Sequence, residues 1–130
     1  MKRGREKFRF DVVRHDGASV VRLLDSHYHA DSLAPLEATF IEAEADAPCA
    51  SIVVDLNGVS LLSSTALRAI RASHARLEKA GGRIVAAGAA DLVADVLKFA
   101  PFIAKYASVD EALAALRAEA DATEPTRGST

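Results

Sequence analysis

The sequence predicts an α/β domain: a mixed β-sheet opened by an antiparallel hairpin, with about four helices packed on it. Three observations carry this. Two apolar, strand-like patterns flank Asp16-Gly17, among the strongest short hairpin signals. After them, strand-like and helix-like patterns alternate, which implies a sheet with helices laid on it. At the centre a short apolar run, Ile52-Val53-Val54, is closed by Asp55 and leads through a turn into three hydroxyl residues and a helix.

Each element has its own signal. Phe8, Phe10 and Val12 alternate with Arg9, Asp11 and Val13, the period of a strand with one wet face. Val20, Val21, Leu23 and Leu24 form the second strand, antiparallel to the first. Asp25 to Asp31 reads as a polar loop. Ser32 can cap the next helix, Pro35 suits its first turn, and Leu33, Leu36, Phe40 and Ala43 give its buried stripe. The stretch from Ala45 to Pro48 ends it.

The β-branched run ending at Asp55 reads as a buried strand, and Asn57-Gly58 supplies turn chemistry. Ser63, Ser64 and Thr65 precede a helix with Leu67, Ile70 and Leu77 on one face, which Gly81 ends as a left-handed cap. Arg83 to Ala87 is another buried strand. Asp91 is placed to cap a short helix whose apolar face is Leu92, Val93, Val96 and Leu97, and Pro101 stops it. Phe102, Ile103 and Tyr106 make a short extended piece. Ser108 and Glu111 have the spacing of a capping box and open a last helix with Leu113 and Leu116 inward. The expected organisation is a loose basic N-terminus over residues 1–7, one domain over 8–120 and a disordered tail over 121–130, where apolar residues run out.

Composition narrows the function classes. At 130 residues, 50% of them hydrophobic, the chain has enough to build one core without staples. A net charge of −2 argues against a general nucleic-acid or anionic-membrane binder. One cysteine, Cys49, excludes an internal disulfide. No apolar run approaches the roughly 20 residues of a membrane span, and no signal-peptide core follows the basic start. A cytoplasmic protein that does not insert into membranes is the expectation.

Several residues invite chemical readings that their surroundings do not support. Asp55 ends a central strand, where some α/β domains accept a phosphoryl group, but the acidic pair and late lysine of such a site are missing. Bonding to the turn amides before Gly58 is the simpler role. His27, His29 and Asp31 share one loop without a fourth ligand spaced for zinc, so no metal site is expected. His74 falls on the inward face of its helix and reads as a satisfied boundary histidine. Gly81, Gly82 and Gly88 lack the order of a dinucleotide fingerprint, and no cofactor is expected. No acid–base pair or activated nucleophile can be assembled by spacing, which points away from an enzyme.

The hydroxyl cluster is different. It sits at a helix N-terminus just past the carboxyl end of a buried strand, where ligands and partners are met in open α/β sheets. Ser64 also suits a plain N-cap role.

The element order and three segments, IVVDLNGVSLLSSTAL, KAGGRIVAAG and SVDEALAAL, resemble the STAS domain, the fold of bacterial anti-sigma factor antagonists. The likeness runs from about Phe8 to Leu116. In that family a strand ending in Asp leads to an Asp-Ser-Ser-Gly-Leu or Asp-Ser-Thr-Gly-Leu motif, and the serine after the motif aspartate is phosphorylated by an anti-sigma factor that is itself a serine kinase. The resemblance therefore implies Ser64 as the phosphorylation site, with Ser63 and Thr65 as lesser candidates. Asn57, Ser63, Ser64, Thr65, Arg68 and Arg71 would form the surface that holds the kinase, and a serine phosphatase would reset it. Ser63 replaces the motif aspartate and Ala66 the motif glycine. The alternative is a STAS subunit bound constitutively, without phosphorylation, in a lipid-transport or larger signalling complex.

Overall fold

The computed structural model describes residues 9–15, 18–25, 27–28, 31, 33–46 and 51–122. The expected N-terminal arm with Phe8, the Asp16-Gly17 turn, His29, Ser32, Pro48, Cys49 and the chain from residue 123 lie outside the described residues.

The first two strands, β1 (Phe10–His15) and β2 (Ala18–Leu23), pair antiparallel from Phe10 opposite Leu23 to His15 opposite Ala18. That register leaves two residues for the turn, as the Asp-Gly signal requires. A short strand β3 (His27–Tyr28) follows, then α1 (Leu33–Asp46) and β4 (Ser51–Asp55). Next come β5 (Leu61–Leu62), α2 (Ser64–Lys79), β6 (Ile84–Ala87), α3 (Asp91–Leu97), β7 (Ala104–Tyr106) and α4 (Val109–Ala122).

The main sheet has the order β1-β2-β4-β6-β7, antiparallel at β1-β2 and parallel elsewhere. Helices cover both faces. Ile52, Val54, Ile84 and Ala86 face a larger core with Leu36 and Phe40 of α1, Leu67 and Ile70 of α2, and Val93 and Leu97 of α3. Val53, Val85 and Ala87 face the other way, onto Ala112 and Leu116 of α4. This two-sided burial is why β4 and β6 read as unbroken apolar runs rather than alternating ones. Val13 also packs into the second cluster, so the outer face of β1 is drier than its alternation predicted.

Four local expectations are corrected. The segment read as a polar loop contains β3, which pairs parallel with β5, a strand the sequence did not signal. Tyr28 is fully buried there. Asp91 does not cap α3: Ala90 is the N-cap residue, without a side-chain bond, and Asp91 is the first helical residue. A carboxylate there still favours the helix dipole. Leu92 points outward, 69% exposed, because so short a helix buries only Val93 and Leu97. Finally, α4 continues through Asp121 and Ala122, past the expected start of the tail.

The glycine stop of α2 is as the sequence implies, and the capping box of α4 forms in part. Gly81, at φ +92°, donates to Glu78 O and Gly82 donates to Leu77 O, the paired bonds of a Schellman motif. At α4 the Glu111 amide donates to Ser108 Oγ, while the Glu111 carboxylate reaches back to the amide of Ala107 rather than of Ser108.

Candidate functional site

The site begins where β4 ends. Asp55 Oδ1 accepts from the amide of Asn57 at 3.0 Å and from its Nδ2 at 2.8 Å. Asp55 Oδ2 lies 3.8 Å from Arg22, whose other contact is Asp11 at 3.1 Å. The carboxylate is thus occupied in closing the turn, as expected. Gly58 follows at φ +87°, a left-handed position that suits glycine. Asn57 lies over Gly88, where a Cβ would fall 2.5 Å from the Asn57 side chain.

From this turn the chain runs through Val59, buried, into β5, and β5 delivers the hydroxyl cluster. The Ser63 amide donates to Tyr28 O at 2.8 Å, which ties the start of α2 to β3. Tyr28 is itself held: its hydroxyl donates to Arg9 O at 3.1 Å and accepts from the Asp25 amide at 2.8 Å. Burial pushes the phenol up to about 12, so this hydroxyl stays protonated and keeps donating.

Ser63, not Ser64, caps α2. Its backbone is extended (φ −75°, ψ 160°) and its Oγ accepts from the Ala66 amide at 3.0 Å. This corrects the reading of Ser64 as a plain cap. Ser63 stands where the motif has aspartate, another preferred cap residue, and serine caps the helix here without a charge. Ser63→Ala is expected to cost about 1 kcal/mol, and Ser63→Asp to retain or slightly raise stability through the helix dipole. Urea midpoints of the two variants check this.

Ser64 is the first helical residue and is exposed; Thr65 is half-buried; Arg68 and Arg71 are exposed on the outer face. The structure thus gathers Ser63, Ser64, Thr65, Arg68 and Arg71 on the first half of α2. Asn57 is exposed on the preceding turn, but its side chain is engaged with Asp55 rather than with the hydroxyls. The first turn of α2 holds no acidic residue. The amides of Ser64 and Thr65 belong to the helix's unsatisfied first turn, where the dipole is positive and an anion is favoured.

Further along α2, His74 is buried, its Nδ1 accepts from the Ile84 amide at 3.1 Å, and its ring lies 4.6 Å from that of Phe102. It is the satisfied boundary histidine expected. Desolvation holds its pKa below the ordinary 6.5, with Arg83 adding to the depression and Glu78 opposing it. Protonating Nδ1 would also abolish the bond from Ile84. The folded state therefore binds fewer protons, and stability present above pH 6.5 is lost as pH falls from there through the lower folded-state value. Urea midpoints on either side of 6.5 should show a larger acid loss for wild type than for His74→Gln, which cannot titrate. Among the described residues no cluster suited to holding a metal ion is found, and no helix is long and apolar enough to cross a membrane.

Comparison with known proteins agrees with this architecture. The STAS domain family model matches residues 9–112. A search of curated proteins returns no match. Among solved structures, an anti-sigma factor antagonist from Mycobacterium paratuberculosis is 27% identical, with a TM-score of 0.69, covering 86% of this chain and 96% of its own. An anti-sigma-factor antagonist (STAS) domain protein from Planctomyces limnophilus has a TM-score of 0.75 at 18% identity, covering 82% of this chain and 96% of its own. The Bacillus cell fate determinant SpoIIAA in its phosphorylated form has a TM-score of 0.60 at 17% identity, covering 82% and 96%. The same fold occurs in the murine anion transporter Slc26a9, at 16% identity and a TM-score of 0.60, over 78% of this chain but 18% of the transporter. The matched family segment runs from the residue before β1 into the first turn of α4, taking in every strand and the hydroxyl-headed helix, and this chain belongs to the STAS domain family.

Proposed function

We propose that this chain is an anti-sigma factor antagonist, a cytoplasmic binding module rather than an enzyme. It holds an anti-sigma factor serine kinase through the first half of α2 and so releases a sigma factor. The kinase ends the contact by moving the γ-phosphoryl group of a nucleoside triphosphate to Ser64 Oγ; the hydroxyl proton is lost and the nucleoside diphosphate leaves. A serine phosphatase hydrolyses the ester and restores binding. The module itself uses no cofactor or metal and binds neither nucleic acid nor membrane.

The observation that carries this is the division of labour between Ser63 and Ser64. Because Ser63 caps the helix, the exposed Ser64 hydroxyl is left without a structural task. A phosphate there meets unsatisfied amides and the positive helix end, so the fold tolerates it. A partner packed on the same surface would have to desolvate close to two negative charges, and releases. The likeness to the Mycobacterium paratuberculosis antagonist supports the role.

A second reading has one observation in its favour: Ser63 stands where the motif aspartate would mark the acceptor for a kinase. On that reading the domain is a constitutively bound subunit of a transport or signalling complex. Wild type and Ser64→Asp as baits in lysate of the source organism separate the two. The antagonist reading expects a kinase-type anti-sigma factor held by wild type and lost with Ser64→Asp, and a phosphoryl-sized mass gain on wild type with ATP. The same scaffold or transporter component on both baits, with no mass gain, overturns it.

A further inference from the structure

The outer face of α2 carries a stripe of exposed residues, Ser64, Arg68, Arg71, Ala75 and Glu78, with Arg76 and Lys79 exposed beside its C-terminal half. The spacing of four, three, four and three keeps them in line along the helix. Ser64 and Arg68 are successive members, with Cβ atoms about 5–6 Å apart by helix geometry. Arg71 lies a further turn away, roughly 10 Å from Ser64 along the axis. Arg68 forms no ion pair among the described residues, unlike Arg76 on the inner edge of the same helix, which is held by Glu44. The first turn of α2 contains no carboxylate, and the one acidic residue of the stripe, Glu78, is about 15 Å beyond Arg68. A strong cation therefore stands one turn below the hydroxyl with no acidic neighbour on its helix.

Resting on the antagonist reading of Ser64, we propose that Arg68 is the internal counter-ion of the phosphorylated residue. A phosphate on Ser64 Oγ would take the Arg68 guanidinium in a charge-assisted, bidentate contact across one helical turn. Modification then changes the surface twice. It adds negative charge at the head of α2, and it withdraws Arg68 from the acidic groups of a partner. The substitution of Ser63 for the motif aspartate has a place in this arrangement. A carboxylate at the cap would compete for Arg68 before any phosphate arrived; with serine there, the arginine changes partner only on modification.

The test uses the full chain with phosphoserine installed at position 64 during translation, so no kinase is required. The phosphate is titrated by phosphorus NMR between about pH 5 and 8, which spans its second ionisation. Wild type, Arg68→Gln and Arg71→Gln are compared. His27 and Tyr28 on β3, Glu37, Glu42 and Glu44 on α1, Asp91 and Asp95 on α3 and Lys98 just past its end, the other titratable groups on elements that pack on or bond to α2, are the same in all three and cancel. The expected result is a midpoint about half a unit or more lower in wild type and Arg71→Gln than in Arg68→Gln, because a paired guanidinium favours the dianion. Only the two with Arg68 should also show a phosphorylation-dependent shift of the Arg68 Nε–H resonance. Coincident titrations in all three overturn the proposal. Since the phosphate is placed genetically, that failure is distinct from failure of the antagonist reading, which would show as intact pairing in a protein that no kinase modifies.

Discussion

Tyr28→Ala is expected to lower the unfolding free energy by about 3–5 kcal/mol, the range for removing a buried aromatic side chain. Tyr28 is fully buried, packs its ring 5.7 Å from that of Phe10, and bridges the Asp25 amide and the Arg9 carbonyl through its hydroxyl. Truncation leaves a cavity and strips the Asp25 amide of its partner, while the Arg9 carbonyl keeps only the Leu24 amide at 3.2 Å. Tyr28→Phe keeps the ring and is expected to cost about 1–2 kcal/mol, the value of the hydroxyl's bonds. Urea denaturation of the three proteins gives both numbers. With total stability of order 5–15 kcal/mol for a domain of this kind, the alanine variant stands near the threshold of folding.

Glu44→Ala is expected to cost about 2–3 kcal/mol, since charge-assisted hydrogen bonds are lost and a buried hydroxyl is orphaned. Glu44 lies on α1 and joins it to α2. One carboxylate oxygen accepts from the buried Ser73 hydroxyl and from an Arg76 amino group at 2.9 Å; the other accepts from Arg76 Nε at 2.6 Å. The bond to Glu44 raises the pKa of Arg76, so the guanidinium stays charged at any working pH. Arg76 is 41% exposed, and water screens part of that pairing, which places more of the loss on Ser73. Ser73→Ala alone should cost about 1 kcal/mol. The double variant should lose less than the two single losses added together, because removing both partners leaves no orphan. A double-mutant cycle from denaturation midpoints decides it.

The main sheet and its helices were legible in the sequence because their signals are strong. Ile52-Val53-Val54 and Arg83 to Ala87 are apolar runs with defined ends, and Leu67, Ile70 and Leu77 hold helical spacing to a glycine stop. The β3–β5 pair was not legible. Each strand is two residues long, too short for any period to register, and His27-Tyr28 carries its polar character on exposed His27 while the tyrosine body turns inward. The hydroxyl cluster was found, yet its internal assignment was not. Ser63 and Ser64 are equally good caps by composition, and only the extended backbone of Ser63 and its bond from Ala66 tell them apart. Nor could sequence show Leu92 facing outward. A seven-residue helix has room for few inward positions, and which residues take them depends on how it lies on β5 and α2.

The clasp between β3 and β5 has a kinetic consequence. Pairing His27 with Leu61 and Tyr28 with Leu62 closes a long loop of chain through two residues on each side, and the Ser63 amide bond extends the closure by one rung. Closing such a loop has an entropic cost, which docking of α1 and β4 inside it lowers by shortening the free chain. In the native protein the Ser63 amide bond to Tyr28 holds the start of α2 to the clasp, so that release of Ser63 is expected to accompany opening of the β3–β5 pair. Amide exchange at Ser63 should report that opening as a cooperative event shared with Leu62, slower than exchange at the amides of Ser64 and Thr65, which belong to the unsatisfied first turn. The hydroxyl offered to a partner is thus carried on a helix tip tied to β3 through the Ser63 amide.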